Sequence, residues 1–235
     1  LGGLKLATLG RAVVFFASSV SERFDGRETI IEAARHGADG VQLFVDPRYR
    51  EPTFRKEVVQ RLVGQSLGVI WHLPNQPTSE DLSVVYRLAQ ETGKNTALIH
   101  YLPATRLPRI PGVRIGWENS VNGFDIQHAE LVREKVISDG TFNVFDVLRL
   151  CYVTSGYTEV DILAYIRGRL IELPTGSYLH VADKKTWDLR FRDGECAIGD
   201  GVAKGFVDLL RLFKGVIILE HERLDLAIET LSRLR

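Results

Sequence analysis

The sequence predicts an α/β fold in which one domain, residues 1–235, forms a (β/α)8 barrel, and three observations carry that prediction. Short apolar segments rich in β-branched and aromatic residues recur eight times. Amphipathic helical patterns separate most of them, which implies right-handed crossovers and a parallel sheet. The length of 235 residues suits a single α/β barrel, and no linker-like stretch interrupts the pattern. Eight such units favour a closed TIM barrel over an open sheet.

The predicted strands follow one another along the chain, with helices between them. They cover 11–19, 40–46, 68–74, 96–103, 113–119, 142–148, 177–183 and 215–222. Two of the helices begin with a sequence that resembles a capping box, in which a threonine is followed three residues later by an aspartate. These pairs are Thr78 with Asp81 and Thr158 with Asp161.

One connection is irregular. Only nine residues, "ATRLPRIPG" at 104–112, join the fourth and fifth strands, and two of them are prolines. That is short for a crossover helix, so the fourth βα unit is predicted to be shortened. A shortened unit leaves part of the barrel wall thin, and we hypothesise that a second copy of the chain covers it in a homo-oligomer.

The composition narrows the classes of function. Thirty lysines and arginines balance thirty aspartates and glutamates, which argues against bulk attraction to nucleic acid or to an anionic membrane surface. No apolar stretch approaches the roughly 18 residues of a membrane span, and the first residues do not resemble a signal peptide. Cys151 and Cys196 lack CxxC spacing, so we expect two free thiols and a cytoplasmic location.

Titratable side chains recur where the predicted strands end. In a barrel of parallel strands, the functional groups lie at the carboxyl ends. Six consecutive strands each carry one residue of a type that binds metals at this end: His72, His100, Glu118, Asp146, His180 and Glu220. Alternation then makes their inward neighbours Ile70, Leu98, Gly116, Val144, Tyr178 and Ile218, which suit a barrel interior.

The stretch "GVRIGWENS" at 112–120 shows why a shared cation is the favoured interpretation. Its apolar run ends on Glu118, and a carboxylate near a core is costly unless it is paired or binds a metal. Any single histidine or glutamate at a strand end is more often an ordinary paired polar residue. Six such residues in six consecutive strands are harder to explain that way. Carboxylates with histidine form a ligand set suited to Mn, Mg, Co or Zn.

Short motifs in order along the chain resemble the xylose isomerase-like barrel superfamily. They are "GADGVQL", "WHLP", "IHYLP", "GWENS", "FD", "YLHVADKK", "IGDG" and "GVIILE". No single motif is specific, but their order and spacing together are. This superfamily contains sugar isomerases and epimerases as well as endonuclease IV-type DNA repair enzymes.

The resemblance to the isomerase and epimerase branch implies one divalent metal ion bound by four residues from strands five to eight: Glu118, Asp146, His180 and Glu220. It implies an isomerase or epimerase that acts on a small sugar or sugar phosphate, with proton transfer through a metal-stabilised enediolate. Glu118 and Glu220 match the catalytic pair that moves the proton. His72 and His100 are then expected to contact the substrate.

The resemblance to the DNA repair branch implies instead a metal-dependent phosphodiesterase that cleaves at abasic sites. His72 and His100 would there bind a second metal. That branch has a histidine three residues after the strand-six aspartate, where this chain has Arg149, and an Asp-x-His motif after strand seven, where it has "DGE" at 193–195. These departures argue against nucleic acid as the substrate.

A third alternative keeps the metal ligands but acts on another substrate, as in enzymes similar to inosose dehydratase or hydroxypyruvate isomerase. Arg149 and Lys184 are candidate substrate-binding residues. Together with Lys185, Arg190 and Arg192 they could form an anion site for a phosphorylated or acidic sugar, although a solvated loop with one structural arginine is the slightly favoured interpretation of these charges.

Overall fold

The computed structural model describes residues 12–102, 106–119, 126–147, 158–174, 176–186 and 194–235. Ten strands lie in these ranges: β1 (Val13–Ala17), β2 (Gly40–Phe44), β3 (Gly68–His72), β4 (Thr96–His100), β5 (Arg114–Glu118), β6 (Asn143–Asp146), β7 (Tyr178–Val181), β8 (Asp183–Lys184), β9 (Glu195–Cys196) and β10 (Val216–Leu219). Eight of them form a closed parallel barrel in the order β1-β10-β7-β6-β5-β4-β3-β2, and β8 pairs with β9 in a separate antiparallel hairpin. The predicted (β/α)8 barrel is confirmed.

Helices connect most of the barrel strands. Those within the described ranges are α1 (Gly26–His36), α2 (Pro52–Val63), α3 (Ser79–Thr92), α4 (Ile126–Asp139), α5 (Glu159–Glu172), α6 (Val207–Arg211) and α7 (Leu224–Leu234). Both predicted capping boxes form, at the starts of α3 and α5. No helix in the described part of the chain is long and apolar enough to cross a membrane.

The connection between β4 and β5 is short, as the two prolines predict. Its described residues, 106–113, contain no helix. Ile110 is buried and belongs to the core between the barrel and the helices. The shortened fourth unit is therefore a property of the fold, and residues 103–105 of the loop lie outside the described ranges.

Two apolar cores follow from the alternation of side chains along the strands. The barrel interior contains Val13, Phe15, Ala17, Ile70, Leu98, Phe142, Val144, Tyr178, Val216 and Ile218. Side chains of opposite parity, among them Trp71, Trp117 and Phe145, pack between the barrel and the helices. Glycines give the interior rings room, because a Cβ on Gly116 would lie 2.3 Å from the Phe142 ring. This apolar filling closes the barrel below the strand ends and leaves the polar groups above it.

Candidate metal centre and cleft

The six predicted residues converge at the carboxyl end of the barrel. His72, His100, Glu118 and Asp146 are the last residues of β3, β4, β5 and β6, His180 lies in β7, and Glu220 follows β10 directly. The strand register aligns them, since His100 pairs with Glu118 and Asp146 pairs with His180. Two sets of potential metal donors result, with the atoms of each set within 4.8 Å of one another: His72, His100 and Glu118, and Glu118, Asp146, His180 and Glu220.

Glu118 belongs to both sets and is fully buried. Its Oε1 lies 3.0 Å from His100 Nε2 and 3.1 Å from His180 Nδ1, and its Oε2 lies 3.2 Å from His72 Nε2. Burial alone would raise the pKa of this carboxyl, but the charges and hydrogen bonds of His100 and His180 hold the pKa well below its usual range. Glu118 is therefore a carboxylate at the centre of the site.

Each of these histidines is oriented by a partner on its other ring nitrogen. His72 Nδ1 donates to the backbone oxygen of Leu73 at 2.8 Å, and His100 Nδ1 lies 2.5 Å from Asn75 Oδ1. A carbonyl oxygen can only accept, so both Nδ1 atoms carry a proton, and the Nε2 atoms face Glu118, to which His100 Nε2 donates while no metal is bound. Fixing the tautomer through the second nitrogen is how proteins present imidazole to a metal.

Gln42 on β2 orients His180, but here the partner is on Nε2, and Nδ1 is the nitrogen that faces the carboxylates. Its Oε1 accepts from His180 Nε2 at 2.6 Å, and its Nε2 donates to Glu220 Oε1 at 3.4 Å. This leaves His180 Nδ1 facing both glutamates, 3.1 Å from Glu118 and 3.3 Å from Glu220. In the sequence, Gln42 is noticeable only as a polar residue inside an apolar strand.

The residues present fit a divalent cation. Buried carboxylate oxygens normally have a hydrogen-bond partner, yet Glu220 Oε2 has none among the described residues, and Glu118 Oε2 has only the ion-pair contact with His72 Nε2 at 3.2 Å and no hydrogen bond. A histidine and three carboxylates whose donor atoms lie this close form a hard-to-borderline ligand set. Asn119, next to Glu118, positions Asp146, because its amide oxygen accepts from the backbone N–H of Asp146 at 2.6 Å.

A cleft of about 240 Å³ opens above these groups. Its described lining consists of Ala17, Ser18, Ser19, Phe24, Gln42, Phe44, His72, His100, Glu220 and Glu222. Glu118, Asp146 and His180 are completely buried, whereas Glu220 is only partly so. Glu220, His72 and His100 are thus the site residues that a ligand in the cleft would meet first.

The turn that places Phe24 at the mouth of the cleft has a strained backbone. Arg23 and Phe24 both adopt left-handed conformations, with φ of 54° and 57°, which costs residues other than glycine about 1–2 kcal/mol each. Arg48 stabilises the turn, because its Nη2 donates to the backbone oxygens of Arg23 at 2.7 Å and Phe24 at 3.0 Å. Asp46 pairs with the same guanidinium group.

The structure describes one of the two remaining candidate residues, Arg149 and Lys184. Arg149 lies outside the described residues, as do Arg190, Arg192 and Cys151. Lys184 lies on β8, is 2% exposed and is absent from the described lining of the cleft. The role of both residues in substrate binding stays a prediction.

Sequence reasoning did not find Asp183, which organises the segment beside the site. Its carboxylate accepts four backbone N–H groups, from Lys184 and Gly199 at 2.8 Å and from Gly201 and Ala203 at 3.0 Å. Gly201 is required for this close approach, because a Cβ there would lie 2.0 Å from the backbone oxygen of Lys184. One buried carboxylate therefore joins the β8–β9 hairpin to the chain that follows it.

No protein-family model matches the sequence, and no curated protein matches it. Solved structures do match over nearly the whole chain. A xylose isomerase domain-containing protein from Salmonella typhimurium has 11% identity and a TM-score of 0.58, covering 95% of this chain and 96% of its own. D-allulose 3-epimerase from Methylomonas sp., in complex with D-allulose, has 13% identity and a TM-score of 0.58, with 94% and 96% covered. Endonuclease IV from Thermus thermophilus has 16% identity and a TM-score of 0.56, with 94% and 98% covered. The chain has the fold of the xylose isomerase-like TIM barrels.

Proposed function

We propose that this chain, with the fold of the xylose isomerase-like barrels, is a metal-dependent isomerase or epimerase of a small sugar. The observation that carries the proposal is the convergence of Glu118, Asp146, His180 and Glu220 on one point below an open cleft. A barrel of the same fold binds D-allulose, which supports a sugar as the substrate. One divalent ion, Mn, Co, Mg or Zn, is the proposed cofactor.

The proposed chemistry is proton transfer at the carbon next to a carbonyl group. A bound divalent ion would supply Lewis-acid stabilisation of the negative charge that develops on the substrate oxygens. Glu220 reaches the cleft and has an oxygen without a hydrogen-bond partner among the described residues, so we assign it proton removal. Glu220 would return the same proton on the same face of the carbon, and Glu118, the second member of the proposed pair, would donate on the opposite face after taking up a proton through the cleft, while Glu220 releases its own to solvent.

His72 and His100 are assigned to substrate binding. Both line the cleft, and their rings lie edge to face with centroids 4.8 Å apart. Leu73 holds Nδ1 of His72, and Asn75 holds Nδ1 of His100. Each ring therefore has a fixed orientation before a ligand binds, and binding costs no further side-chain rotational entropy there. We retain Arg149 and Lys184 as further proposed contacts to the substrate.

A second candidate is a hydrolase that cleaves phosphodiesters, and one observation favours it. His72, His100 and Glu118 form a separate set of potential metal donors that shares Glu118 with the first set. Two ions about 3.5–4 Å apart are typical of enzymes that hydrolyse phosphate esters. Endonuclease IV has the same fold. The number of bound ions therefore separates the two candidates.

The test combines metal content with proton exchange. Metal per chain is measured by plasma mass spectrometry for the wild type, Glu118→Gln, Glu220→Gln and, as the control, Glu80→Gln on α3, whose side chain is 60% exposed. The same proteins are incubated in D2O with a panel of ketoses and aldoses. Deuterium incorporation next to the carbonyl group, followed by NMR, reports proton transfer whichever product forms.

An isomerase binds one ion per chain and incorporates deuterium from at least one sugar. Glu220→Gln is then expected to lose exchange by about 100-fold or more, Glu118→Gln to lose both metal and exchange, and Glu80→Gln to match the wild type. Two zinc ions per chain, with cleavage of abasic-site DNA and no exchange, would establish the hydrolase instead. A protein that binds no metal under any loading condition would refute both candidates.

A further inference from the structure

A row of aromatic rings leads from the buried site to the mouth of the cleft. The centroid of the Phe44 ring lies 5.4 Å from that of His72 and 6.3 Å from that of Phe24. Phe44 is half-buried and Phe24 is 41% exposed. Both line the cleft. A ligand whose reacting end is at Glu220 therefore meets an apolar wall further out.

The backbone conformation at Arg23 and Phe24 keeps the Phe24 side chain exposed. Phe24 and Arg23 are the two residues other than glycine with positive φ in the described part of the chain. Arg48 and Asp46 hold that conformation through hydrogen bonds to both carbonyl groups and an ion pair. Backbone strain of this kind concentrates at functional sites. Its consequence here is that a large apolar side chain faces the cleft.

The charges in the described lining indicate what this wall favours. Glu220 and Glu222 are the charged residues in the described lining, to which no lysine or arginine contributes. Two serines, Ser18 and Ser19, supply hydroxyl groups. An uncharged ring with one C–H face and hydroxyl groups at its edge complements this lining, because C–H faces pack on aromatic rings and hydroxyls pair with polar atoms.

We propose that Phe24 and Phe44 form a substrate subsite that binds an uncharged ring attached to the reacting sugar, such as the second ring of a glycoside. The substrate class is then neutral glycosides whose reacting sugar has a free carbonyl group. The proposal rests on the proposed function for the position of the reacting end. The subsite itself depends only on the apolar wall formed by Phe24 and Phe44.

The test measures binding without turnover. Dissociation constants are determined by ligand-observed NMR titration for phenyl β-D-glucopyranoside, methyl β-D-glucopyranoside and glucose 6-phosphate. We expect the wild type to bind the phenyl glucoside about tenfold more tightly than the methyl glucoside, and glucose 6-phosphate more weakly than either. Phe24→Ala and Phe24→Leu are expected to lose the preference for the phenyl group, since neither retains a ring that can stack.

Tyr86→Ala is the matched control. Tyr86 lies on α3, is also 41% exposed and does not line this cleft, so its loss is expected to leave all three constants unchanged. The proposal is overturned if the wild type shows no preference for the phenyl group, if Phe24→Ala retains it, or if glucose 6-phosphate binds most tightly. If proton exchange is never found but the preference disappears in Phe24→Ala and persists in Tyr86→Ala, the proposed function fails and the subsite stands.

Discussion

His180 Nδ1 lies 3.1 Å from Glu118 Oε1, and both residues are completely buried. This pair joins the carboxyl ends of β5 and β7, which are not neighbours in the barrel. In the absence of a metal, a proton on His180 compensates the buried charge of Glu118. A divalent cation would compensate the same charge and compete with that proton.

This competition predicts that metal affinity rises with pH. Burial alone would lower the pKa of His180, but the charges of Glu118 and Glu220 raise it to about 9. His180 is therefore protonated at pH 7, and a metal binds Nδ1 only after the proton leaves. We expect the dissociation constant for Zn²⁺ to fall by up to about tenfold per pH unit from about pH 6.5 to 9. Calorimetry in buffers of different ionisation enthalpy would detect the released proton, and an affinity that is constant over this interval would contradict the assignment.

The free energy of unfolding of the metal-free protein is expected to change with pH in the opposite direction to metal affinity. A histidine whose pKa is raised on folding stabilises the metal-free protein fully below its unfolded pKa of about 6.5. That contribution is lost as the pH rises through about 9. Chelator-treated protein is therefore expected to have a lower free energy of unfolding at about pH 9 than at about pH 6.5 through this group. His180→Gln removes the titrating ring, and its denaturant midpoint should depend less on pH over the same interval.

Gln42 is predicted to control how His180 presents its nitrogen. Its Oε1 is the acceptor for His180 Nε2 at 2.6 Å, and loss of such a partner typically lowers metal affinity about 10- to 100-fold. Gln42→Leu is expected to show that loss. Gln42→Glu keeps an acceptor at the same place and should recover most of the affinity. If both variants bind Zn²⁺ like the wild type, the amide does not position the histidine.

The convergence of the six strand-end residues could be predicted because alternation along a strand is local, whereas their role as metal ligands stays a prediction. His72 and Ile70, or Glu118 and Gly116, need only period two to be assigned to one side of the barrel wall. Gln42 and His180 are 138 residues apart, and only closure of the barrel brings them together. Their contact depends on register and side-chain length, which no local pattern encodes.

The strained turn was not predictable for a related reason. Glycine or asparagine would signal a left-handed residue, whereas Arg23 and Phe24 carry no such signal. The conformation is imposed from a distance by Arg48, whose guanidinium group binds both carbonyl oxygens. Similarly, nothing in the sequence around Lys184 indicates that this lysine is 2% exposed on a short strand paired with β9.

Asp183→Asn is predicted to loosen the segment at 199–203. An amide has one acceptor oxygen in place of two, so the four N–H donors of Lys184, Gly199, Gly201 and Ala203 cannot all be satisfied. We expect faster amide exchange at these positions and a loss of about 1–3 kcal/mol. Asp200→Asn is the control, since Asp200 makes an exposed ion pair with Arg233 and should cost under about 1 kcal/mol. Equal exchange in both variants would contradict the role of Asp183.

Gly116→Ala tests how tightly the barrel interior is filled below the site. The added methyl group would lie 2.3 Å from the Phe142 ring, whose other near atoms are 2.5 and 2.6 Å away, so the ring must move. Overpacking of this kind typically costs about 1–3 kcal/mol. Phe142→Leu alone should also destabilise, because it removes buried ring atoms. The double variant is expected to lose less free energy of unfolding than the sum of the two single losses, since a smaller side chain at position 142 accommodates the methyl group. If the loss of stability in the double variant equals the sum of the two single losses, the Phe142 ring is not the reason why β5 has a glycine at position 116.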